Sequence, residues 1–290
     1  MFSSTCKVNT LVPTLVTEQG IIHYEAHGRG RPVLLLHGWL NSWELWRNTI
    51  EVLGKEFRMY ALDFLGFGES GVSSSQGTSF SVNNFVLMVS QFMDRMGIIK
   101  APLVGHSMGG TVALNAAIRY PEKVVKVIVV GSPIQGSSLS PLLKLAAYRG
   151  WIGLGKTTPL AYTVFQSSFR PFLRVYSNFL GKDGKLIGDM LTADVSKLTV
   201  APFFESINTL RQTDLRPRLG EIQMPVLGIY GKRDNIVDPG QAKVLKQYLQ
   251  SSRVEVFEGS KHFPMLDERE RFHAMVRDFL NNATPQLPNV

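Results

Sequence analysis

Ser107 stands in Gly105-His106-Ser107-Met108-Gly109-Gly110, a spacing of G-x-S-x-G that suits a nucleophile at a cramped bend between a strand and a helix. Glycine is required on either side because the bend leaves room only for hydrogen, and the serine itself takes a strained backbone conformation. The apolar run Pro102-Leu103-Val104 supplies the strand, and Thr111 to Ala117 supply the helix, whose N-terminus favours an anion. A serine hydroxyl is a weak nucleophile at neutral pH, so it needs a general base and an acid that orients the base.

The six histidines are His23, His27, His37, His106, His262 and His273. His23 and His27 lie in or just beyond an N-terminal hairpin and His273 lies on the last helix, where surface or packing roles suit them. His106 points away from the nucleophile at such a bend, which leaves it a structural hydrogen bond. His262, in Gly259-Ser260-Lys261-His262-Phe263-Pro264 after the last strand, is the candidate base. Asp234, in Gly231-Lys232-Arg233-Asp234, is the candidate acid, preferred to Asp238 because it sits nearer the strand end. An oxyanion would need backbone N–H donors, and those of Met108 and of Trp39, after His37-Gly38, are placed to serve.

The elements that must hold these residues follow from periodicity. Residues 14–16 and 21–25 read as a hairpin, and Val33 to Leu36 as a central strand buried on both faces. Asn41 or Ser42 caps a helix to about Leu53, followed by a strand over 57–62. An amphipathic helix covers 81–96, and 124–130 is another buried strand. A formal G-x-G-x-x-G runs from Gly66 to Gly71 but opens into the serine-rich stretch near Ser73 rather than a helix, which argues against a dinucleotide site. The alternation of strand and helix predicts an α/β fold with a mostly parallel sheet. It breaks from Ile134 to Arg218, where helix-length segments rich in leucine and aromatics replace strands, and resumes at Val226 with a further strand over 254–257 and a closing helix over 268–280. The expected organisation is therefore 1–133 as the first part of the core, 134–218 as an inserted helical cap, and 219–290 as the rest of the core.

At 290 residues with 44% hydrophobic content the chain can bury a large core. The segment from Met1 to Lys7 lacks the apolar block of a secretory signal, and no run approaches about 18 apolar residues, so a cytoplasmic location without a spanning helix is expected. A single cysteine, Cys6, allows no intrachain disulfide. The net charge of +8 comes with no basic run and no nucleic-acid module, which argues against a nucleic-acid partner.

Taken together, His37-Gly38-Trp39, Asp63-x-x-Gly66-x-Gly68-x-Ser70, Gly105 to Gly110, Gly231-x-x-Asp234 and Gly259-x-x-His262 resemble the α/β-hydrolase superfamily over about residues 20–133 and 219–281. The resemblance implies an eight-stranded sheet with helices on both faces, a helical lid entering after the sixth strand, and no metal or organic cofactor. A serine nucleophile separates the chain from the dehalogenase and epoxide hydrolase branches. Esterases, C–C bond hydrolases and cofactor-free haloperoxidase-like members all remain open, as does a ligand receptor that keeps the triad. The expected activity is cleavage of a hydrophobic carboxylic ester through an acyl-enzyme. Residues expected to line the substrate are His37, Gly38, Leu40 and Phe263 of the core loops, with Phe165, Phe169 and Phe203 of the insertion. Residues 134–218 hold eleven Lys or Arg against five acids, so they carry +6 of the total charge, interleaved with aromatics such as Tyr148, Trp151 and Tyr162. That pattern fits an apolar acyl pocket with bases turned to water, or a basic lid resting on an anionic membrane.

Overall fold

Val33, Leu34, Leu35 and Leu36 are completely buried, as a strand covered by helices on both faces requires. The computed structural model describes residues 13–72, 79–146 and 159–282. Cys6, the serine-rich stretch at 73–78, Tyr148, Trp151, the side chains of Tyr162 and Phe165, and the tail from 283 lie outside what it describes.

The strands are β1 (Thr14–Val16), β2 (Gly20–His27), β3 (Pro32–Leu36), β4 (Arg58–Leu62), β5 (Gly71–Val72), β6 (Ala101–His106), β7 (Val124–Val130), β8 (Val226–Gly231) and β9 (Arg253–Phe257). Eight of them lie in the order β1-β2-β4-β3-β6-β7-β8-β9, and the two-residue β5 pairs with β2 off this path. The β1–β2 and β2–β4 pairings are antiparallel, and every pairing from β4 through β3 to β9 is parallel. The chain leaves β3 toward β4 on one side and returns as β6 on the other. The direction of winding therefore reverses between β3 and β6, where the carboxyl ends of the strands leave a crevice suited to a ligand.

The helices are α1 (Arg47–Leu53), α2 (Val82–Arg95), α3 (Met108–Arg119), α4 (Pro141–Ala146), α5 (Pro159–Leu180), α6 (Gly184–Val195), α7 (Val200–Gln212), α8 (Gln241–Tyr248), α9 (Pro264–Asp267) and α10 (Arg269–Asn281). The helix expected from Ser42 begins as a 3-10 turn over Trp43–Trp46, capped by the Ser42 hydroxyl. Ser81 caps α2 by accepting from Asn84 N–H, and Gly97, with φ of 66°, closes it in the left-handed conformation that lets Ile98 N–H reach back to the carbonyl of Met93. Lys126, buried within β7, donates to the carbonyls of Phe279 and Leu280, placing its charge at the carboxyl end of α10. Helices α4 to α7 come between β7 and β8 and add no strand to the sheet; only isolated bridges such as Gln135 to Asp214 occur there among the described residues.

Candidate active site

β6 ends at His106, and the chain then turns through Ser107 with φ of 51° and ψ of −118° directly into α3. A non-glycine residue in that region is strained, and the surroundings hold it there. Ser107 N–H donates to the carbonyl of Val130 at 2.8 Å, which fixes the bend to the end of β7. The glycines explain themselves by contact: a Cβ on Gly105 would run into the carbonyl of Gly109, one on Gly109 into those of Leu36 and His37, and one on Gly110 into the Ser132 hydroxyl. The bend is thus possible only because three neighbouring positions carry no side chain.

His262 and Asp234 meet beside the bend. His262 Nδ1 lies 2.8 Å from Asp234 Oδ2, and Asp234 Oδ1 accepts from the N–H groups of Ile236 and Val237 at 2.8 and 3.0 Å. With one carboxylate oxygen held by backbone, the other is aimed at the imidazole, which settles the proton on Nδ1 and leaves Nε2 as a base. Gly131, the residue after β7, lies against this pair at a φ of 54°. A Cβ there would stand 3.4 Å from Asp234 Oδ2 and 3.5 Å from His262 Nδ1. Because Ser107 is bonded to Val130, the bend and the imidazole–carboxylate pair occupy neighbouring strand ends. Ser107, Asp234 and His262 are 6%, 9% and 5% exposed, so the group is nearly closed to water.

His106 acts as expected, in a structural bond: its Nε2 lies 2.9 Å from the carbonyl of His262, and its ring stacks on Phe263 at 4.8 Å. Burial first, and then His262, keeps the His106 pKa well below the usual imidazole value, so Nε2–H donates from a neutral ring. Phe263 is accordingly a buried support of this ring.

The loop after β3 faces the bend from the other side of the crevice. A Cβ on Gly38 would come 2.7 Å from His106 Nδ1 and 3.1 Å from Ser107 Cβ, so glycine permits the close approach. Leu40, buried at φ of 62°, carries the strain of this loop. Among the described residues, no protein acceptor takes the backbone N–H of Trp39 or of Met108, the latter being the first residue of α3. His37 does not fit a substrate contact. Its Nδ1 bonds the carbonyl of Gly38 at 2.7 Å, its Nε2 accepts from Phe64 N–H at 2.9 Å, and it is wholly buried, so the ring is spent on holding the loop. Burial also lowers its pKa, against the opposing pull of Asp63.

Two groups outside the expected set matter here. Asp63, at the end of β4, takes His23 Nδ1 at 2.7 Å and the N–H groups of Trp43 and Glu69 at 2.6 and 2.9 Å. Gly68, at positive φ, lies against that carboxylate, and Gly66, also at positive φ, lies against Phe80 and Pro202, which accounts for two of the glycines that formally resemble a nucleotide fingerprint. His23 is therefore a buried partner of Asp63. The second group is Tyr176 on α5, whose phenol pKa is raised by burial and then by the Asp234 carboxylate.

The inserted helices reach both loops. Trp39 Nε1 donates to the carbonyl of Phe203 at 3.0 Å, and His262 N–H donates to that of Leu180 at 3.0 Å. Phe203 is buried, with its ring 5.0 Å from Trp39 and 5.7 Å from Phe169.

Residues 31–269 match the sequence model of the alpha/beta hydrolase fold family. The chain belongs to that family. As an α/β hydrolase it is similar to the pimeloyl-[acyl-carrier protein] methyl ester esterase of Vibrio campbellii, with 30% identity over 89% of this chain and 98% of the relative. Among solved structures it resembles an esterase from Exiguobacterium antarcticum, at 22% identity and a TM-score of 0.74, covering 91% of this chain and 96% of that one. A bromoperoxidase from Bacillus anthracis matches at 21% identity and a TM-score of 0.73, with 91% and 96% covered. This α/β hydrolase is an enzyme of the esterase type, and its described helices include none long and apolar enough to cross a membrane.

Proposed function

We propose that the protein cleaves a hydrophobic carboxylic ester by acyl transfer through Ser107, His262 and Asp234. His262 Nε2 takes the hydroxyl proton as Ser107 Oγ attacks the carbonyl, and Asp234 holds the ring in its tautomer and stabilises the imidazolium. The N–H groups of Trp39 and Met108 receive the oxyanion, each contributing on the order of 2.7 to 4 kcal/mol to the transition state. The imidazolium then protonates the departing alkoxide. A water deprotonated by the same histidine releases the acid and restores the serine. In this reading residues 134–218 are a cap, Phe169 and Phe203 line the acyl side of the pocket, and the compartment is the cytoplasm.

The observation that carries the proposal is the 2.8 Å bond between His262 and Asp234, packed against Gly131 next to the strained serine. The relatives are named for a methyl ester of a pimeloyl group on an acyl-carrier protein, which favours an extended acyl chain with a small alcohol as leaving group. A panel of chromogenic esters of graded chain length, run beside a vinylogous diketone, tests it. Steady ester turnover that falls at least about a thousandfold in His262→Ala supports the reading. Diketone cleavage without ester turnover would assign the C–C hydrolase reaction, and a single slow turnover with ligand-dependent thermal stability would assign a receptor.

A further inference from the structure

Asp267 closes the short helix α9, and its carboxylate is divided between two distant segments. Oδ2 accepts from Lys261 N–H at 2.8 Å, on the loop of His262, and Oδ1 accepts from Lys182 N–H at 2.6 Å, in the turn between α5 and α6. Backbone N–H groups bond an ionised carboxylate more strongly than a neutral acceptor, so one side chain fixes the separation of the two segments. Further bonds cross the same junction. The Lys261 ammonium donates to the carbonyls of Asn178 and Gly181 at 2.8 and 3.4 Å, where a cation suits the carboxyl end of α5. Lys182 Nζ donates to the Asp267 carbonyl at 3.3 Å. Gly181 is crowded by this arrangement, since a Cβ there would run into Ile187 and stand 3.0 Å from Asp267 Oδ1.

The main chain of His262 is gripped between the same parts. Its N–H donates to the carbonyl of Leu180 at 3.0 Å, its carbonyl lies 2.9 Å from Nε2 of His106 in the bend, and its ring is held by Asp234. A carboxylate that served only to close its own loop would need Lys261 alone; the second oxygen of Asp267 is spent on a residue 85 positions away. We propose that Asp267 is a positioning residue of the reaction, locking the His262 loop to the α5–α6 turn so that the seating of the inserted helices sets the placing of the imidazole. The proposal deepens the ester reading and rests on it for the role of His262 as base. Asp267 meets none of the reacting atoms; it acts through Lys261 and so on the neighbouring His262.

Kinetics and proton NMR of the full chain test this together. Asp267→Ala should lower kcat for a soluble ester at least about tenfold, counted per site titrated to completion with a fluorophosphonate, with KM within about twofold. The His262 Nδ1 proton, identified as the downfield resonance that Asp234→Asn abolishes, should weaken at least about threefold in Asp267→Ala, because the ring leaves Asp234 more often and exchanges with water. Asp267→Asn keeps one acceptor oxygen and should recover part of both losses. Asp189→Ala removes the same charge from an exposed position on α6 and should leave both readings within about twofold. Gly181→Ala presses on Asp267 from the side of the inserted helices and carries the test where Asp267→Ala does not fold; its kcat should fall about threefold at an unchanged KM. A merely structural carboxylate would lower the urea midpoint of Asp267→Ala while kcat per site and the resonance stayed as in the parent, and that result overturns the proposal. So does an equal loss in Asp189→Ala. Absence of ester turnover in the parent chain would sink the ester reading alone, and the Nδ1 resonance would still decide this one: weakened in Asp267→Ala it upholds the lock, unchanged it refutes it.

Discussion

The indole N–H of Trp39 donates to the carbonyl oxygen of Phe203 at 3.0 Å, and the two rings pack edge to face at 5.0 Å. The backbone that presents the proposed oxyanion donor is therefore tied to α7, in the insertion. The loop of His262 is tied in the same way, through the carbonyl of Leu180 at the end of α5. A displacement of the inserted helices pulls on both sides of the crevice at once.

Trp39→Phe keeps an aromatic ring against Phe203 and removes the side-chain donor that ties the crevice loop to the carbonyl of Phe203 on α7. The loss of one such bond is worth about 0.5 to 1.5 kcal/mol, so kcat should fall up to about tenfold as the loop relaxes, with KM within about twofold. Steady-state kinetics on a soluble ester check this, and an unchanged kcat would show that the bond does not position the loop.

Gly109→Ala and Gly71→Ala make a contrasting pair. A Cβ at 109 meets the backbone carbonyls of Leu36 and His37 at the end of the central strand, whereas a Cβ at 71 meets nothing within 4 Å. Urea unfolding should show a loss of about 3 kcal/mol for the first and a change within about 0.5 kcal/mol for the second.

Asp194, on α6, is buried beneath the loop at Ser42, and its Oδ2 has no partner. Burial, opposed by the Ser42 hydroxyl and Lys197 and reinforced by Asp63 and Glu44, pushes its pKa up from 3.8 to about 7. Between those values the unfolded chain gives up its proton before the folded one, so this group makes stability fall as pH rises through the window. Asp194→Asn removes the effect. The variant should gain on the parent from about pH 4 to about pH 8, by at most roughly 4 kcal/mol at 1.36 kcal/mol per pKa unit. His273, held down at about 4 by burial and then by Arg277 and Arg269, works in the opposite direction, losing its contribution as pH falls from 6.5 toward 4. Comparing variant with parent cancels His273, and an equal stability difference at both ends of the window would mean that Asp194 ionises normally.

The bend at Ser107 was legible because crowding leaves a mark on the chain: only glycine fits at 105, 109 and 110, and the sequence shows it. The strands were legible for a similar reason, since Val33 to Leu36 and Val124 to Val130 are too continuously apolar for any exposed face. Asp63 was quoted within a motif, yet its partnership with His23 was not visible, because the two are 40 residues apart and meet only through the β2–β4 pairing. His37 looked available to a substrate because nothing in the sequence reveals that Phe64 N–H reaches its second nitrogen. Nothing in the sequence sets Asp194 apart from the other four acids of residues 134–218; only the docking of α6 on the core buries it.

The central claim, that Ser107 is the nucleophile, is tested most directly by locating the adduct of a fluorophosphonate probe by mass spectrometry. The expected result is a single modification on Ser107, absent in a folded Ser107→Ala variant and strongly slowed in His262→Ala. A modification on another residue, or labelling that persists in Ser107→Ala, would contradict the account.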